Sequence, residues 1–251
     1  MDIKRILGLP DLLDVKKIVC VQPHPDDNEV GAAGTLYKLA QRGCEIVYIT
    51  VTDGRGSGST GATDPAEIVE IRRKERLAAG GIIGVSKHFT LDFPDMGDYT
   101  EQDILHKLIP IIRGEKPDML LTVDPWMPYE AHPDHYKTGK AVAAAMLFSS
   151  NEILFPTSEP FAVPQIAFYA TSHPNTYVDV TADWERKIAS ILAHKSQFDN
   201  LNWPMVKTYF DYEAGQLYGK LKQNHEAAGY AEAFKVLTSH QLHFFPAALY
   251  S

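Results

Sequence analysis

The feature that most constrains the fold of this chain is a rhythm. Short apolar runs of strand length alternate four times with helix-length stretches before residue 150. The runs are KIVCVQ (17–22), EIVYITV (45–51), His88 to Leu91 and Met119 to Val123. A helix is predicted from Val30 to Arg42, with Leu36 and Leu39 on its apolar side and Gly43 as its stop. Asp64-Pro65 reads as N-cap and first residue of a helix to about Ala79. Thr100 and Asp103 have capping-box spacing before a helix from Ile104 to Arg113. Lys137 to Phe148 follows as the fourth helix. The connections are too long for hairpins, so the strands are predicted to pair in parallel through βαβ units.

The predicted fold is therefore α/β and Rossmann-like, a mostly parallel sheet flanked by helices. Beyond Phe148 the rhythm loosens into a segment punctuated by Pro156, Pro160 and Pro164. Strand-like IAFYA (166–170) and TYVDV (176–180) come next, then a helix from about Ala182 to Ser196 and mixed structure after it. With no internal repeat and no low-complexity linker, residues 1–251 read as one domain, with a core of about 17–150 and a C-terminal elaboration of about 151–251.

Composition removes several function classes. The formal charge is −8, from 24 basic and 32 acidic residues, and no basic stripe is present, so nucleic acid is not expected as a partner. No apolar run approaches the roughly 18 residues a membrane span requires. The first residues lack a secretory pattern. Cys20 and Cys44 cannot make a disulfide framework, and both lie in strand-like runs, so a reduced, cytoplasmic protein is expected.

The chemistry is concentrated in two short motifs. Pro23-His24-Pro25-Asp26-Asp27 ends the first strand, and His132-Pro133-Asp134-His135 lies in the loop after the fourth. Both contain His-Pro-Asp; from this chain's own composition two chance copies have a probability of roughly one in a thousand. One copy alone is an ordinary turn. In a sheet of order 3-2-1-4-5, strands 1 and 4 are neighbours, and ligands bind at the switch point outside their carboxyl ends. Three histidines and three aspartates would converge there. One His and one Asp from the first motif with one His from the second make a His₂Asp metal site with an open position, leaving a carboxylate to accept a proton and a His to polarise a carbonyl. Spacing alone does not say which residue takes which role, and two His with a carboxylate also suit iron(II) or cobalt.

The stretches VQPHPDDNEVGAAGTL, VYITVTDG and DPWMPYEAHPDH resemble the LmbE-like (PIG-L) zinc-dependent deacetylases, and within them the diacetylchitobiose deacetylase type. The resemblance spans about Lys17 to Phe198. It implies that His24, Asp27 and His135 bind Zn²⁺, with Asp26 as general base, His132 as acid and oxyanion stabiliser, and Asp134 as its orienting partner. It further implies a small N-acetylated sugar as substrate, with Arg72 and Asp95 contacting its hydroxyls, and a homo-oligomer, hexameric in related enzymes. There a late histidine of a neighbouring subunit completes the site; His243 is the better positional match than His240.

Weaker signals have bland counterparts. Arg72 is equally a helical arginine paired with Glu75 or Glu70, and Asp95 a turn aspartate beside proline. Trp126 and Tyr129 offer aromatic faces that suit a pyranose or simply pack. His194, in AHKSQF, reads as a satisfied helical histidine. Gly31 and Gly34 are spaced G-A-A-G, not G-x-G-x-x-G, so close helix–strand packing is expected in place of dinucleotide binding. The leading expectation is hydrolysis of the acetamide of N-acetylglucosamine in a small saccharide or conjugate. A thiol-sugar deacetylase or amidase is the alternative within that chemistry, and a metal- or sugar-binding module without turnover lies outside it.

Overall fold

The structure, a computed structural model, describes residues 6–57, 61–156, 158–243 and 245–251. Seven strands form one sheet: β1 (Lys17–Gln22), β2 (Glu45–Thr52), β3 (Lys87–Phe93), β4 (Met119–Val123), β5 (Gln165–Tyr169), β6 (Thr176–Asp179) and β7 (Ala231–Thr238). Their order is β3-β2-β1-β4-β5-β7-β6. The first five pair in parallel in the predicted 3-2-1-4-5 order, and β7 runs antiparallel to both β5 and β6. The helices are α1 (Asp27–Gln41), α2 (Pro65–Ile83), α3 (Glu101–Glu115), α4 (Pro133–Phe148), α5 (Trp184–Leu192), α6 (Lys195–Phe198) and α7 (Trp203–Lys222).

The central strands are covered on both sides, which is why they read as continuous apolar runs. Along β1, Ile18 and Cys20 pack with Leu36 and Leu39 of α1 and Ile188 of α5. Val19 and Val21 face the other layer, with Leu108 and Ile112 of α3 and Val142 of α4. Each such aliphatic side chain stabilises the fold by about 1.5–3 kcal/mol on burial. The Thr100–Asp103 capping box forms as predicted, and the Asp64 side chain accepts from the Ala66 N–H.

Several boundaries differ from expectation. Helix α1 starts at Asp27, not Val30, and α4 at Pro133, not Lys137, so both motifs form helix entrances and the second is not a loop. Their polar residues interrupt the apolar period that would have marked the first turn. The predicted helix 182–196 is two pieces, because the chain turns at Ala193–His194 before α6. The mixed C-terminal region contains α7 and β7, and β7 inserts between β5 and β6. Its sequence, AEAFKVLT, places Glu232 and Lys235 in a strand buried on both faces, which masks it. Among the described residues no helix is long and apolar enough to cross a membrane.

Candidate metal centre and cleft

Because β1 and β4 are paired, with Ile18 beside Met119 and Cys20 beside Leu121, the helices that follow them begin side by side. Asp26 is the N-cap residue of α1 and His132 that of α4. The rings of His24, His132 and His135 meet with centroid separations of 4.5, 4.9 and 5.2 Å. Residues more than 100 positions apart thus share one crevice.

Within it, His24 Nδ1 lies 3.2 Å from Asp27 Oδ2, and His135 Nε2 lies 3.5 Å from Asp27 Oδ1. Donor atoms of these three residues all lie within 4.8 Å of one another. A tetrahedron with bonds of about 2.0–2.1 Å has edges of about 3.3–3.4 Å, so the spacing and the N/N/O donor set fit a divalent ion such as zinc. The opposite ring nitrogens are also held. His135 Nδ1 is 3.0 Å from Glu130 Oε2, and His24 Nε2 is 3.4 Å from Asp134 Oδ2 and 3.5 Å from Asp95 Oδ1. Carboxylates behind both imidazoles hold the two rings in place around the shared centre.

Burial alone would lower the His24 pKa, but bonds to Asp134, Asp27 and Asp95 outweigh it and push the value up to about 12. Asp27, though buried, is held down at about 2 by His24 and His135. Asp134 is likewise kept well below the usual carboxylate range, against its burial, by His24, Tyr99 and the Met96 N–H. His132 moves the other way: burial and the charges of His24 and His135 lower its pKa.

Asp134 is fully buried and accepts from Tyr99 Oη at 2.5 Å and from the Met96 N–H at 2.9 Å. Toward His132 it offers its backbone N–H, which donates to Nδ1 at 3.3 Å. In the neutral ring the proton therefore sits on Nε2. Asp26 Oδ2 accepts from Arg72 Nη2 at 3.0 Å.

The adjoining cleft, about 280 Å³, is lined by His24, Asp26, Arg72, Asp95, His132 and Gln197, among others. Arg72 and Asp95, expected at the substrate, are both here; Arg72 is also paired with Glu75 at 3.8 Å. Trp126 and His243 do not line it. Trp126 borders a separate cavity with Asp124, Phe168 and Lys235, and His243 another with His240 and Phe245. Tyr129 is fully exposed. His194 is wholly buried at the N-cap of α6, not within a helix, with its Nε2 3.5 Å from Glu29 Oε2. Gly34 packs against Val180, where an added Cβ would fall 2.9 Å from the valine Cβ, and Gly31 lies against the Tyr169 ring, in keeping with the packing reading.

Sequence reasoning missed Glu130, Tyr99, Ser196 and Gln197. Glu130 carried a signal, an acid two residues before His132. Tyr99 carried none, since only the β3–α3 connection brings it to Asp134.

Fold and site together define a doubly wound α/β protein with a His–Asp–His cluster at its switch point. The chain belongs to the PIG-L family, described as GlcNAc-PI de-N-acetylase, which matches residues 19–146. It is 34% identical over 240 residues to the diacetylchitobiose deacetylase of Thermococcus kodakarensis, covering 94% of this chain and 88% of that one. The structure of N,N'-diacetylchitobiose deacetylase from Pyrococcus horikoshii with its inhibitor MPG superposes with a TM-score of 0.87 at 32% identity, over 97% of this chain and 92% of that one. A probable N-acetyl-alpha-D-glucosaminyl L-malate deacetylase 2 of Bacillus anthracis is 27% identical, covering 78% of this chain and 88% of the relative.

Proposed function

We propose that this protein is a zinc-dependent N-deacetylase that hydrolyses the acetamide of N-acetylglucosamine units in a small saccharide of the diacetylchitobiose kind, releasing acetate and a free amine. One observation supports it above the rest: donors of His24, Asp27 and His135 lie within 4.8 Å of one another, with Asp26 and His132 beside them in a cleft of about 280 Å³. His24, Asp27 and His135 would hold the ion. When bound, it supplies Lewis acidity, lowering the pKa of water to about 7 and polarising the amide carbonyl.

The remaining work falls to the chain. Asp26 accepts the proton of the attacking water, with Arg72 fixing one carboxylate oxygen. His132 presents Nε2–H to the developing oxyanion, a contribution typically worth about 10²–10³ in rate. The resemblance makes His132 the acid as well, but its Nδ1 accepts the Asp134 N–H and its one ring proton is held at the oxyanion. The proton taken by Asp26 therefore returns to the departing nitrogen, and water is split between acetate and amine. Arg72 and Asp95 line the cleft where sugar hydroxyls would lie. The same reading makes the protein a cytoplasmic homo-oligomer, with His243 reaching a neighbour's site; sedimentation and a His243→Ala variant test that part.

The deciding experiment measures acetate release from N-acetylglucosamine, diacetylchitobiose and an N-acetylglucosaminyl malate conjugate, before and after chelation, with metal content determined alongside. Release from the saccharides that stops on chelation and returns with zinc is expected. Preference for the conjugate would support the thiol-sugar alternative, and metal-loaded protein inert toward all three would leave only a binding module.

A further inference from the structure

The segment His194–Gln197 does work that the two histidine motifs do not explain. Ser196 donates twice to one carboxylate: its N–H to Glu75 Oε1 at 2.7 Å and its hydroxyl to Glu75 Oε2 at 2.6 Å. Glu75 lies one turn after Arg72 on α2, with Oε2 3.8 Å from Arg72 Nη1. The Arg72 Nη2 then donates to Asp26 Oδ2 at 3.0 Å. The result is a continuous line, Ser196–Glu75–Arg72–Asp26, that crosses from α6 through α2 to the N-cap of α1. Its ionic side chains are 11%, 3% and 14% exposed for Glu75, Arg72 and Asp26, so little water competes with them. The next residue, Gln197, bonds to Ser57 and lines the cleft, which places α6 against the site.

An arginine has a long, rotatable stem. Held by one carboxylate alone, its guanidinium can follow that carboxylate's movements. Held in front by a hydrogen bond to Asp26 and behind by an ion pair at 3.8 Å to a carboxylate that two donors fix, the guanidinium is restrained from both sides. Arg72 Nη2 holds Asp26 at Oδ2, and that bond bears directly on the direction in which Oδ1 points. A displacement of about 1 Å of a catalytic group can cost on the order of 10²-fold in rate.

We infer that Ser196 and Glu75 are positioning residues: they lock Arg72 from behind so that it holds the Asp26 carboxylate in its working orientation. This rests on the deacetylase reading above. The test compares Glu75→Gln, Ser196→Ala and Ser196→Thr with the wild type, measuring kcat, KM, bound metal and Tm separately. Glu75→Gln is expected to lower kcat by about 10- to 100-fold and Ser196→Ala by about 3- to 10-fold, with KM within twofold and metal content unchanged. Ser196→Thr, which keeps the hydroxyl, should retain most of the rate. The double variant should be no slower than Glu75→Gln alone, because both changes cut one line. Independently of turnover, the guanidinium NMR signals of Arg72 should exchange faster with solvent in Glu75→Gln. An inactive wild type would strike the deacetylase reading, and the Arg72 signals would still decide the coupling. Unchanged kcat, a rate loss that tracks Tm or metal, multiplicative single effects, or unaltered Arg72 exchange would each overturn the inference.

Discussion

Asp27 illustrates how one residue serves two ends. Its Oδ2 accepts the His24 N–H at 2.7 Å, which closes the turn into α1, while both oxygens face imidazoles. The adjacent Asp26 faces the cleft and Arg72 instead. These two carboxylates therefore predict different variants. Asp26→Ala should retain its metal and lose nearly all turnover, measured by metal analysis and acetate release on the same preparation. Glu130→Gln removes the negative charge behind His135 without touching the cluster's donors. It should weaken metal affinity by about 10- to 100-fold, read by competition with a chelating dye. An unchanged affinity would mean that Glu130 acts only on the His132 N–H, which it also accepts, at 2.8 Å.

At the scale of elements, packing decides where the histidines lie. Gly139 of α4 sits over the end of β4, where an added Cβ would come 2.6 Å from the Val123 carbonyl oxygen. Gly139→Ala should push α4 outward, destabilise the fold by about 1–3 kcal/mol and weaken metal binding with it. Denaturant unfolding and metal titration would show whether the two losses go together. On the opposite layer, His88 of β3 rests beneath Gly80 of α2, and burial with the nearby Arg76 charge lowers its pKa to about 4. The neutral form is thus favoured in the folded state. Its contribution is complete above the unfolded value of about 6.5 and is lost as pH falls toward 4. His88→Gln should flatten the pH dependence of the unfolding midpoint across that window; an identical slope would show that other groups set it.

For the molecule as a whole, the C-terminal third is tied into the helix that carries the first motif. Glu232 of β7 accepts from the Gly34 and Thr35 N–H groups in mid-α1 at 3.1 and 2.7 Å, and its partner Lys187 of α5 donates to Glu232 at 2.6 Å and to the Val30 carbonyl at 2.7 Å. Both charged side chains are about 95% buried. Removing one charge leaves the other uncompensated, so Glu232→Gln should cost about 3–5 kcal/mol, measured by denaturant unfolding. A loss below about 1 kcal/mol would show that the amides, rather than the ion pair, dominate there.

The sequence by itself determined the parallel core and the clustering of its chemistry. Apolar period, caps and turn residues are local signals, and each is written in neighbouring residues: β1 and β4 fall on their predicted residues, and the His-Pro-Asp pair was visible by repetition. The tertiary structure alone decided which residues stand behind those motifs. Tyr99 reaches Asp134, Ser196 reaches Glu75 and Glu232 reaches α1 across separations of 35, 121 and nearly 200 residues. It also placed Trp126 and His243 at cavities other than the His24 cleft. Hydrogen bonds and ion pairs have no period along a chain. They depend on which surfaces the packed layers bring to within about 3 Å.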